Sequence, residues 1–471
     1  MPHNPEEHTR SFVPQLLKLS LPIALQALMM TALNLADTFM VGQLGEAQIG
    51  AIALGNQVFF VLMLFLFGTG SGAAVFASQF WGRGDTPGVR RALGLSLVSG
   101  GLGSLLFMAA TTLTPDALLS IFTEDPAVRS DGVAYLRIVG LSYLFTAVSM
   151  GYTHALRSVG DTRLPMYATG ISILLNIAGN YVLIFGALGL PALGVAGAAI
   201  STAVARLVEM LIILVVVYRR RGPTAAPLRE LLDWNRAFVR QYLARAMPVV
   251  ANEFFWVTGF TMYTVVFARM GTSYLAAYNI ADTVGRLLMV VFIAGGQASA
   301  VVIGNTIGAG DTARARDIGF SIVRLVPLVA LGIGLVGFFG VARLTPRLFE
   351  ITPEVQVLVR QLLQLFSLLM VIKTVNLHII VGVLRGGGDT HYALLIDILP
   401  LWLIGVPAAV VTGLVLGLSA PWVYLALNVE ELTRLVAGLL RVRSGRWIHN
   451  LTSPAYETLP GLKAAAAPPV D

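Results

Sequence analysis

The sequence predicts an all-α polytopic membrane protein with 12 transmembrane helices, arranged as two pseudo-symmetric six-helix lobes. Composition is the first observation: 56% of the 471 residues are hydrophobic and 12% are charged, whereas soluble domains carry about 25% charged residues. The second observation is an internal repeat, and the third is a bias of the arginines toward alternate loops. Together they favour a chain that crosses a bilayer many times over one that folds in water.

Twelve apolar segments are long enough to cross a bilayer as helices, which takes about 20 residues each. They cover residues 14–40, 51–80, 92–113, 131–155, 164–186, 193–218, 241–268, 276–304, 317–343, 356–382, 392–414 and 419–440. The residues before the first segment are polar and partly acidic, unlike the start of a cleavable signal. We therefore expect the first segment to remain as a membrane anchor.

The second half of the chain repeats the first. A shift of 226 residues places Pro22 on Pro248, and residues 82–86 (GRGDT) on residues 308–312 (GAGDT). Later in each half the shift becomes 228, as where Gly160 falls on Gly388. Six spans per half is an even number, so both halves enter the membrane in the same sense. The repeat is therefore parallel, and the interface between the halves is the expected substrate site.

The arginines predict the orientation in the membrane. The even-numbered loops and the segment after the last span are basic, whereas the odd-numbered loops 41–50, 187–192 and 415–418 contain no arginine. The positive-inside rule then predicts a multi-pass membrane protein with both termini in the cytoplasm. The predicted domains are an N-terminal lobe at 1–218, a linker at 219–240, a C-terminal lobe at 241–446 and a disordered tail at 447–471.

The tripeptide Gly-Asp-Thr occurs four times, each time in a predicted cytoplasmic loop before a span. The four copies are 84–86, 160–162, 310–312 and 388–390. Glycine permits a tight turn, and aspartate or threonine caps the helix that follows. We interpret the motif as structural rather than ligand-binding.

Polar side chains inside the first half suggest an ion site. Asp37 lies three residues after Asn34, so both can face one side of helix 1. Asn176 and Asn180 are four residues apart in helix 5, and Thr202 lies in helix 6. A carboxylate, two amide oxygens and a hydroxyl suit a hard cation such as Na⁺. The alternative is that the asparagines join helices by hydrogen bonds.

The second half carries its own intramembrane acids, Glu253 in helix 7 and Asp397 in helix 11. An acid in lipid is costly and marks a functional site by default. Either desolvation lets these groups carry protons near neutral pH, or a bound cation keeps them charged. The alternative is an interhelical salt bridge, for which Lys373 and Arg286 are the candidate cations.

The remaining intramembrane charges fit local structure. Glu430 and Glu431 lie within one helical turn of Arg434, which predicts local pairing. Asp282 with Arg286, and Arg206 with Glu209, have the same spacing. His378 is a lone histidine, which we interpret as a packing residue rather than a proton relay.

Several function classes are excluded by what the sequence lacks. It has no cysteine, so it offers no disulfide, thiolate metal site or cysteine nucleophile. It contains no P-loop, no G-x-S-x-G and no histidine cluster with metal-ligand spacing. The net charge of +7 comes from short loops rather than one face, which argues against nucleic acid. We therefore expect no enzyme and no cofactor, and an ion gradient as the energy source.

Four stretches together resemble the multidrug and toxic compound extrusion (MATE) family, in its bacterial NorM-like branch. They are LADTFMVGQLG, ALRSVGDTRLPMY, NIAGNYVLIFGALGLPALGVAGAA and VLRGGGDTHYALLIDILPLWLIGVP. The resemblance covers about residues 14–443. It implies a V-shaped pair of six-helix lobes that works as a cation-coupled antiporter in the lipid membrane. The expected substrates are small-molecule drugs and toxic organic cations, and we expect a monomer.

The resemblance also implies roles for particular residues. In that family the helix 1 acid, matched by Asp37, couples transport to the ion, and Asn176, Asn180 and Thr202 match its partners. The archaeal branch has an acid at the position of Asn180, so the ion, Na⁺ or H⁺, stays open here. The helix 7 and helix 11 acids are matched by Glu253 and Asp397, and substrate binding is expected at Asn34, Asp37, Glu253 and Asp397.

Three other functions are weighed against antiport. A lipid-linked saccharide flippase of the same superfamily would be expected to have a larger, more basic cavity and often two additional helices. An intramembrane prenyltransferase needs an Asp-x-x-x-Asp magnesium motif, which the sequence lacks. A channel is disfavoured by the duplication with different acids in each half.

Overall fold

The computed structural model describes residues 5–452, with side chains from residue 12, and this part of the chain is helical with no β-strand. It packs as two compact units that divide at Ala24 and Val250. We call residues 25–250 the N-terminal unit, and residues 12–24 with 251–452 the C-terminal unit. The division lies inside two long helices, so the predicted linker 219–240 packs with the N-terminal unit.

The N-terminal unit contains most of nine helices. They are α1 (Pro5–Gly42), α2 (Glu46–Arg83), α3 (Thr86–Leu113), α4 (Pro115–Ser120), α5 (Pro126–Val139), α6 (Ser142–Ser158), α7 (Arg163–Phe185), α8 (Gly194–Arg220) and α9 (Leu228–Leu231). Helices α5 and α6 meet at a bend of 48° and together form the predicted span 131–155. The break falls at Gly140 and Leu141, where glycine weakens the helix.

The C-terminal unit is built on a second set of helices. They are α10 (Arg236–Met270, shared with the N-terminal unit), α11 (Thr272–Gly308), α12 (Thr312–Val336), α13 (Ala342–Leu344), α14 (Pro353–Leu377), α15 (Thr390–Pro400), α16 (Val406–Val410), α17 (Ala420–Leu427) and α18 (Glu430–Ser444). Wider π-helical turns occupy Gly337–Val341, His378–Leu384, Leu401–Gly405 and Val411–Val415. Such turns often lie near functional residues, and here one of them leads directly into Arg385.

All twelve predicted spans coincide with helices of the described chain. Nine helices between residues 12 and 415 are long and apolar enough to cross a bilayer, and the bent pair of α5 and α6 adds a tenth. The predicted span 241–268 lies in α10, where the adjacent Asn252 and Glu253 reduce its hydrophobic character. The predicted span 419–440 is broken between α17 and α18, and α18 begins with Glu430 and Glu431.

The predicted role of Gly-Asp-Thr is confirmed in three of its four copies. All four glycines adopt positive φ angles of 80° to 89°, which favour glycine. Asp85, Asp161 and Asp311 each accept a hydrogen bond from the backbone N–H three residues later, at 2.8, 3.1 and 2.9 Å. Asp389 instead accepts from Arg441, 2.7 Å away.

The packed chain continues past the predicted lobe boundary at residue 446. The Trp447 side chain is fully buried, and its Nε1 donates to the carbonyl of Val442 at 3.2 Å. The backbone of His449 donates to the carbonyl of Gly387 at 2.9 Å. The tail prediction is therefore wrong for residues 447–452, because an aromatic side chain binds this segment to the helices. Its remainder, 453–471, lies outside the described residues.

Candidate functional site

The predicted ion site of the N-terminal unit assembles from three helices. Asn180 Nδ2, on α7, donates to Asp37 Oδ1 of α1 at 2.6 Å and to Asn176 Oδ1 at 3.2 Å. Asn176 Nδ2 in turn donates to Thr202 Oγ1 of α8 at 3.3 Å. The backbone is held as well, since Ser201 Oγ donates to the Asn176 carbonyl at 2.8 Å. Four residues chosen from their spacing in the sequence thus form one hydrogen-bonded chain.

The chemistry of this group fits a hard monovalent cation. Asn176 and Asn180 are almost fully buried, and Asn180 Oδ1 has no hydrogen-bond partner. Asp37 forms no ion pair with any basic side chain of the described chain. No three His, Cys, Asp or Glu side chains between residues 12 and 452 are grouped to hold a metal ion. The oxygens of this site therefore suit Na⁺ better than a transition metal.

Asn34 does not join the group. Its side chain is exposed, and its backbone carbonyl accepts a hydrogen bond from Thr38. The spacing of three residues places Asn34 near the same side of α1 as Asp37, but Leu35 and Phe39 beside them are also exposed. Sharing a helix face is therefore not sufficient to bring a side chain into the hydrogen-bonded chain.

A second polar chain runs through the same unit and was not predicted in full. Arg206 pairs with Glu209 at 2.9 Å, as the spacing indicates. Glu209 also accepts from Thr169 at 2.6 Å, and Thr169 accepts from Gln26 at 2.8 Å. Gln26 accepts from Arg157 at 2.7 Å. These contacts connect α1, α6, α7 and α8, and so hold the helices that carry the ion site.

Each of the two acids of the C-terminal unit forms a salt bridge with a buried arginine. Arg385 Nη1 is 2.9 Å from Glu253 Oε1, and Arg434 Nη1 is 3.1 Å from Asp397 Oδ1. Asn252 connects the two pairs, because it accepts from Arg385 and donates to Asp397, both at 2.8 Å. The structure therefore brings Glu253 and Asp397 into one network.

The salt-bridge alternative named the wrong cations. Lys373 lies 3.2 Å from Glu431, and Arg286 lies 2.8 Å from Asp282. The actual partners were missed for separate reasons. The predicted spans 356–382 and 392–414 place Arg385 in a loop, but it directly follows a π-helical turn and is 4% exposed. Arg434 was assigned a local role only.

Arg434 does form its predicted local contacts, at 3.1 Å to Glu430 and 3.8 Å to Glu431. It also reaches Asp397 on another helix, so it serves three carboxylates at once. His378 agrees with its packing interpretation: it is buried, and its Nδ1 lies 2.9 Å from the Thr374 carbonyl.

Known proteins of one family match nearly the whole chain. The family model described as MatE matches residues 22–182 and 248–411. The probable multidrug resistance protein NorM of Bradyrhizobium diazoefficiens is 31% identical over 458 residues, which are 93% of this chain and 94% of that protein. Its namesake in Thermotoga maritima is 27% identical over 457 residues, 94% of this chain and 95% of that protein.

A solved structure shows the same fold. The bent form of the Vibrio cholerae MATE transporter VcmN superposes with a TM-score of 0.83 and 22% identity, covering 94% of this chain and 100% of that one. The predicted fold class is thereby confirmed. The family model and the two NorM relatives confirm the prediction of a transporter rather than an enzyme. Since the family model matches both halves and a relative is 31% identical over 93% of the chain, the chain belongs to the MATE family of membrane transporters, in its NorM-like branch.

Proposed function

We propose that this transporter is a cation-coupled multidrug efflux antiporter, which exports amphipathic and cationic compounds in exchange for Na⁺ or H⁺. The observation that carries the proposal is the group of Asp37, Asn176, Asn180 and Thr202, in which a carboxylate without an ion pair accepts a hydrogen bond from a chain of two amides and a hydroxyl. Drug-resistance names among the relatives support the substrate class. We further propose a monomer in the inner membrane with both termini in the cytoplasm.

The Asn180 amide gives the site a way to respond to ion binding. Its two N–H groups point at Asp37 Oδ1 and Asn176 Oδ1, and so occupy the place that a cation would take. Rotating the amide by half a turn exchanges this nitrogen for the unpartnered Oδ1. Three oxygens then face one point, an arrangement that is repulsive without a positive charge and favourable with one. Cation binding and a change of hydrogen bonding between α1 and α7 are therefore linked.

Coupling follows from differential affinity. An ion shifts the equilibrium between inward-open and outward-open states only if it binds one of them more tightly. Because the site joins α1 to α7 and α8 within one unit, any rearrangement of α1 alters the ion's ligands. Protonation of Asp37 would act on the same contact, since a protonated carboxyl no longer attracts the Asn180 amide as a carboxylate does.

The test is substrate efflux from proteoliposomes under an imposed Na⁺ gradient and then under an imposed pH gradient. Asp37→Asn should reduce ion-driven efflux to the background without protein, while the purified variant stays folded. Glu46→Gln is the matched control, because Glu46 is an exposed acid at the start of α2. Full gradient-driven efflux by Asp37→Asn, or full drug resistance in cells that express it, would refute the assignment.

A further inference from the structure

The C-terminal unit contains a small, partly open cavity with apolar and polar walls, which the proposed function does not use. Its volume is about 40 Å³, and the polar side chains lining it include Glu430, Asn428, Tyr263, Lys373 and Asp282. A cavity needs only about 10–15 Å³ to hold one water, whereas drug-sized ligands need about 300–1,000 Å³. The space therefore fits a small ion with a water molecule, or water alone, and not an exported compound.

One wall of the cavity carries a buried acceptor without a partner. Asn428 is 3% exposed, and its Nδ2 donates to the Tyr424 carbonyl at 2.7 Å. That bond fixes which end of the amide is nitrogen, because a carbonyl can only accept. The other end, Oδ1, is buried and has no hydrogen-bond partner among the described residues. A buried polar atom of this kind is costly unless an occupant satisfies it.

The charges around the cavity do not balance. We define the C-terminal charge cluster as Glu253, Asp397, Glu430, Glu431, Lys373, Arg385 and Arg434. Four carboxylates thus face three cationic side chains, and the Asp282–Arg286 pair is balanced in itself. Inside a membrane an uncompensated charge is expensive, so the cluster requires one further positive charge.

The missing charge falls on Glu430. Glu253 has Arg385 to itself at 2.9 Å, and Glu431 has Lys373 at 3.2 Å. Asp397 and Glu430 share Arg434, each at 3.1 Å. Asp397 also receives the 2.8 Å hydrogen bond from the Asn252 amide described above. Of the two carboxylates that share this guanidinium, Glu430 is the one that lines the cavity, where it lies beside the Tyr263 hydroxyl.

We propose that the cavity between Glu430 and Asn428 binds one exchangeable monovalent positive charge, taken up either as Na⁺ or as a proton on Glu430. The Glu430 carboxylate supplies the negative charge. The Asn428 amide oxygen supplies the second ligand for Na⁺, or accepts a hydrogen bond from the protonated Glu430. This site lies in the C-terminal unit and is separate from the Asp37 group. It extends the proposed cation coupling, on which its transport role rests, but its occupancy is measured without transport.

The other groups facing Glu430 limit the site to a single charge. The titratable and charged groups on the elements packed around it are Tyr263, Tyr278, Asp282, Lys373, Tyr424, Glu431 and Arg434. The Lys373 ammonium is already at the wall of the cavity, and it repels a divalent ion more strongly than a monovalent one. We therefore expect no Ca²⁺ or Mg²⁺ dependence.

The experiment measures the unfolding temperature of the purified full-length protein in nanodiscs in the Asp37→Asn background. One arm titrates NaCl against choline chloride at fixed pH, and the other varies pH without Na⁺. Any ligand that binds the folded state raises the unfolding temperature. In Asp37→Asn we expect the unfolding temperature still to change with NaCl or with pH. We expect that response to be lost in Asp37→Asn/Glu430→Gln. Asp37→Asn/Glu354→Gln is the control, because Glu354 is an exposed acid at the start of α14.

A second variant covers the case in which Glu430→Gln does not fold. Asn428→Leu keeps the carboxylate but removes the oxygen, and we expect about tenfold weaker Na⁺ binding in the Asp37→Asn background, or a shifted pH midpoint. If the unfolding temperature of Asp37→Asn still rises with Na⁺, the bound charge is a metal ion. If it changes with pH alone, the bound charge is a proton. The proposal is overturned if neither titration depends on Glu430 or Asn428. That result would leave the Asp37 assignment standing, because efflux by Asp37→Asn tests it separately.

Discussion

Replacing Arg434 tests whether the C-terminal charge cluster holds the unit together. Arg434 is 4% exposed and contacts Asp397, Glu430 and Glu431, the first from another helix. Arg434→Met keeps much of the side-chain volume but removes the guanidinium. Breaking a buried ion pair by removing one partner costs about 3–5 kcal/mol, because the remaining charge stays buried without compensation. We expect Arg434→Met to reach at least the lower end of this range.

The assay is the free energy of unfolding in mixed micelles, obtained by titrating a denaturing detergent and following loss of helix by circular dichroism. Arg443→Met is the matched control, since Arg443 is exposed about two and a half turns further along α18. Surface substitutions of this kind usually change stability by less than about 0.5 kcal/mol. If both variants lose the same small amount, Arg434 is not the shared partner of three carboxylates.

A double substitution separates charge from packing. Adding Asp397→Asn to Arg434→Met removes one of the carboxylates left unpaired, so we expect part of the lost stability to return. The reason is that neutral polar groups cost less to bury than charges do. A double variant as unstable as the sum of the two single variants would show that packing, not charge, explains the loss.

Two further predictions concern the Asp389 contacts and the proposed orientation in the membrane. Burial raises the pKa of Asp389, but contacts with His449 and Arg441 outweigh it and leave that pKa below the ordinary 3.8. Asp389→Asn should therefore lower the free energy of unfolding by about 1–3 kcal/mol at neutral pH. This difference from wild type should begin to shrink as the pH falls below the ordinary pKa of 3.8, where the unfolded chain takes up the proton first, and should be lost once the pH passes the lower folded pKa. A difference that stays constant down to pH 3 would contradict the prediction. Because the chain has no cysteine, the proposed orientation predicts that a membrane-impermeant maleimide added to intact spheroplasts labels Leu190→Cys but not Arg219→Cys; the reverse pattern would invert the topology.

Hydropathy and the repeat were sufficient to predict the spans, because a bilayer imposes about 20 apolar residues on each crossing helix. They did not predict the bend between α5 and α6 or the π-helical turns, which depend on how neighbouring helices pack. The sequence likewise could not predict which residues of the polar chain from Asp37 to Thr202 hydrogen-bond to each other, although it did predict the residues that form the chain. Asn34 shows the limit: helical spacing assigns a residue to a face but does not say what that face contacts.

The partner of Glu253 was missed because hydropathy treats an arginine near the end of a span as a loop residue. Arg385 satisfies the positive-inside pattern and still lies buried against an acid. The partner of Asp397 was missed because the spacing of Arg434 predicts only its local contacts. An arginine near the end of a span can still reach a buried acid, because its guanidinium can lie several ångströms from its own backbone. A count of charges would have been a better signal: the second half has more acids and bases inside its spans than the first.

The two units use one repeated topology for different electrostatics. In the N-terminal unit the acid is surrounded by amides, and its charge is left for an ion to neutralise. In the C-terminal unit, built-in arginines and a lysine neutralise all but one of four carboxylates. Since an internal cation competes with an external one for the same carboxylate, Glu253 and Asp397 are poorly placed to exchange ions while Arg385 and Arg434 stay in contact. We therefore propose Glu430, which lines the cavity, as the ion-exchanging acid of that unit, whereas the coupling roles of Glu253 and Asp397 stay predictions from the family resemblance.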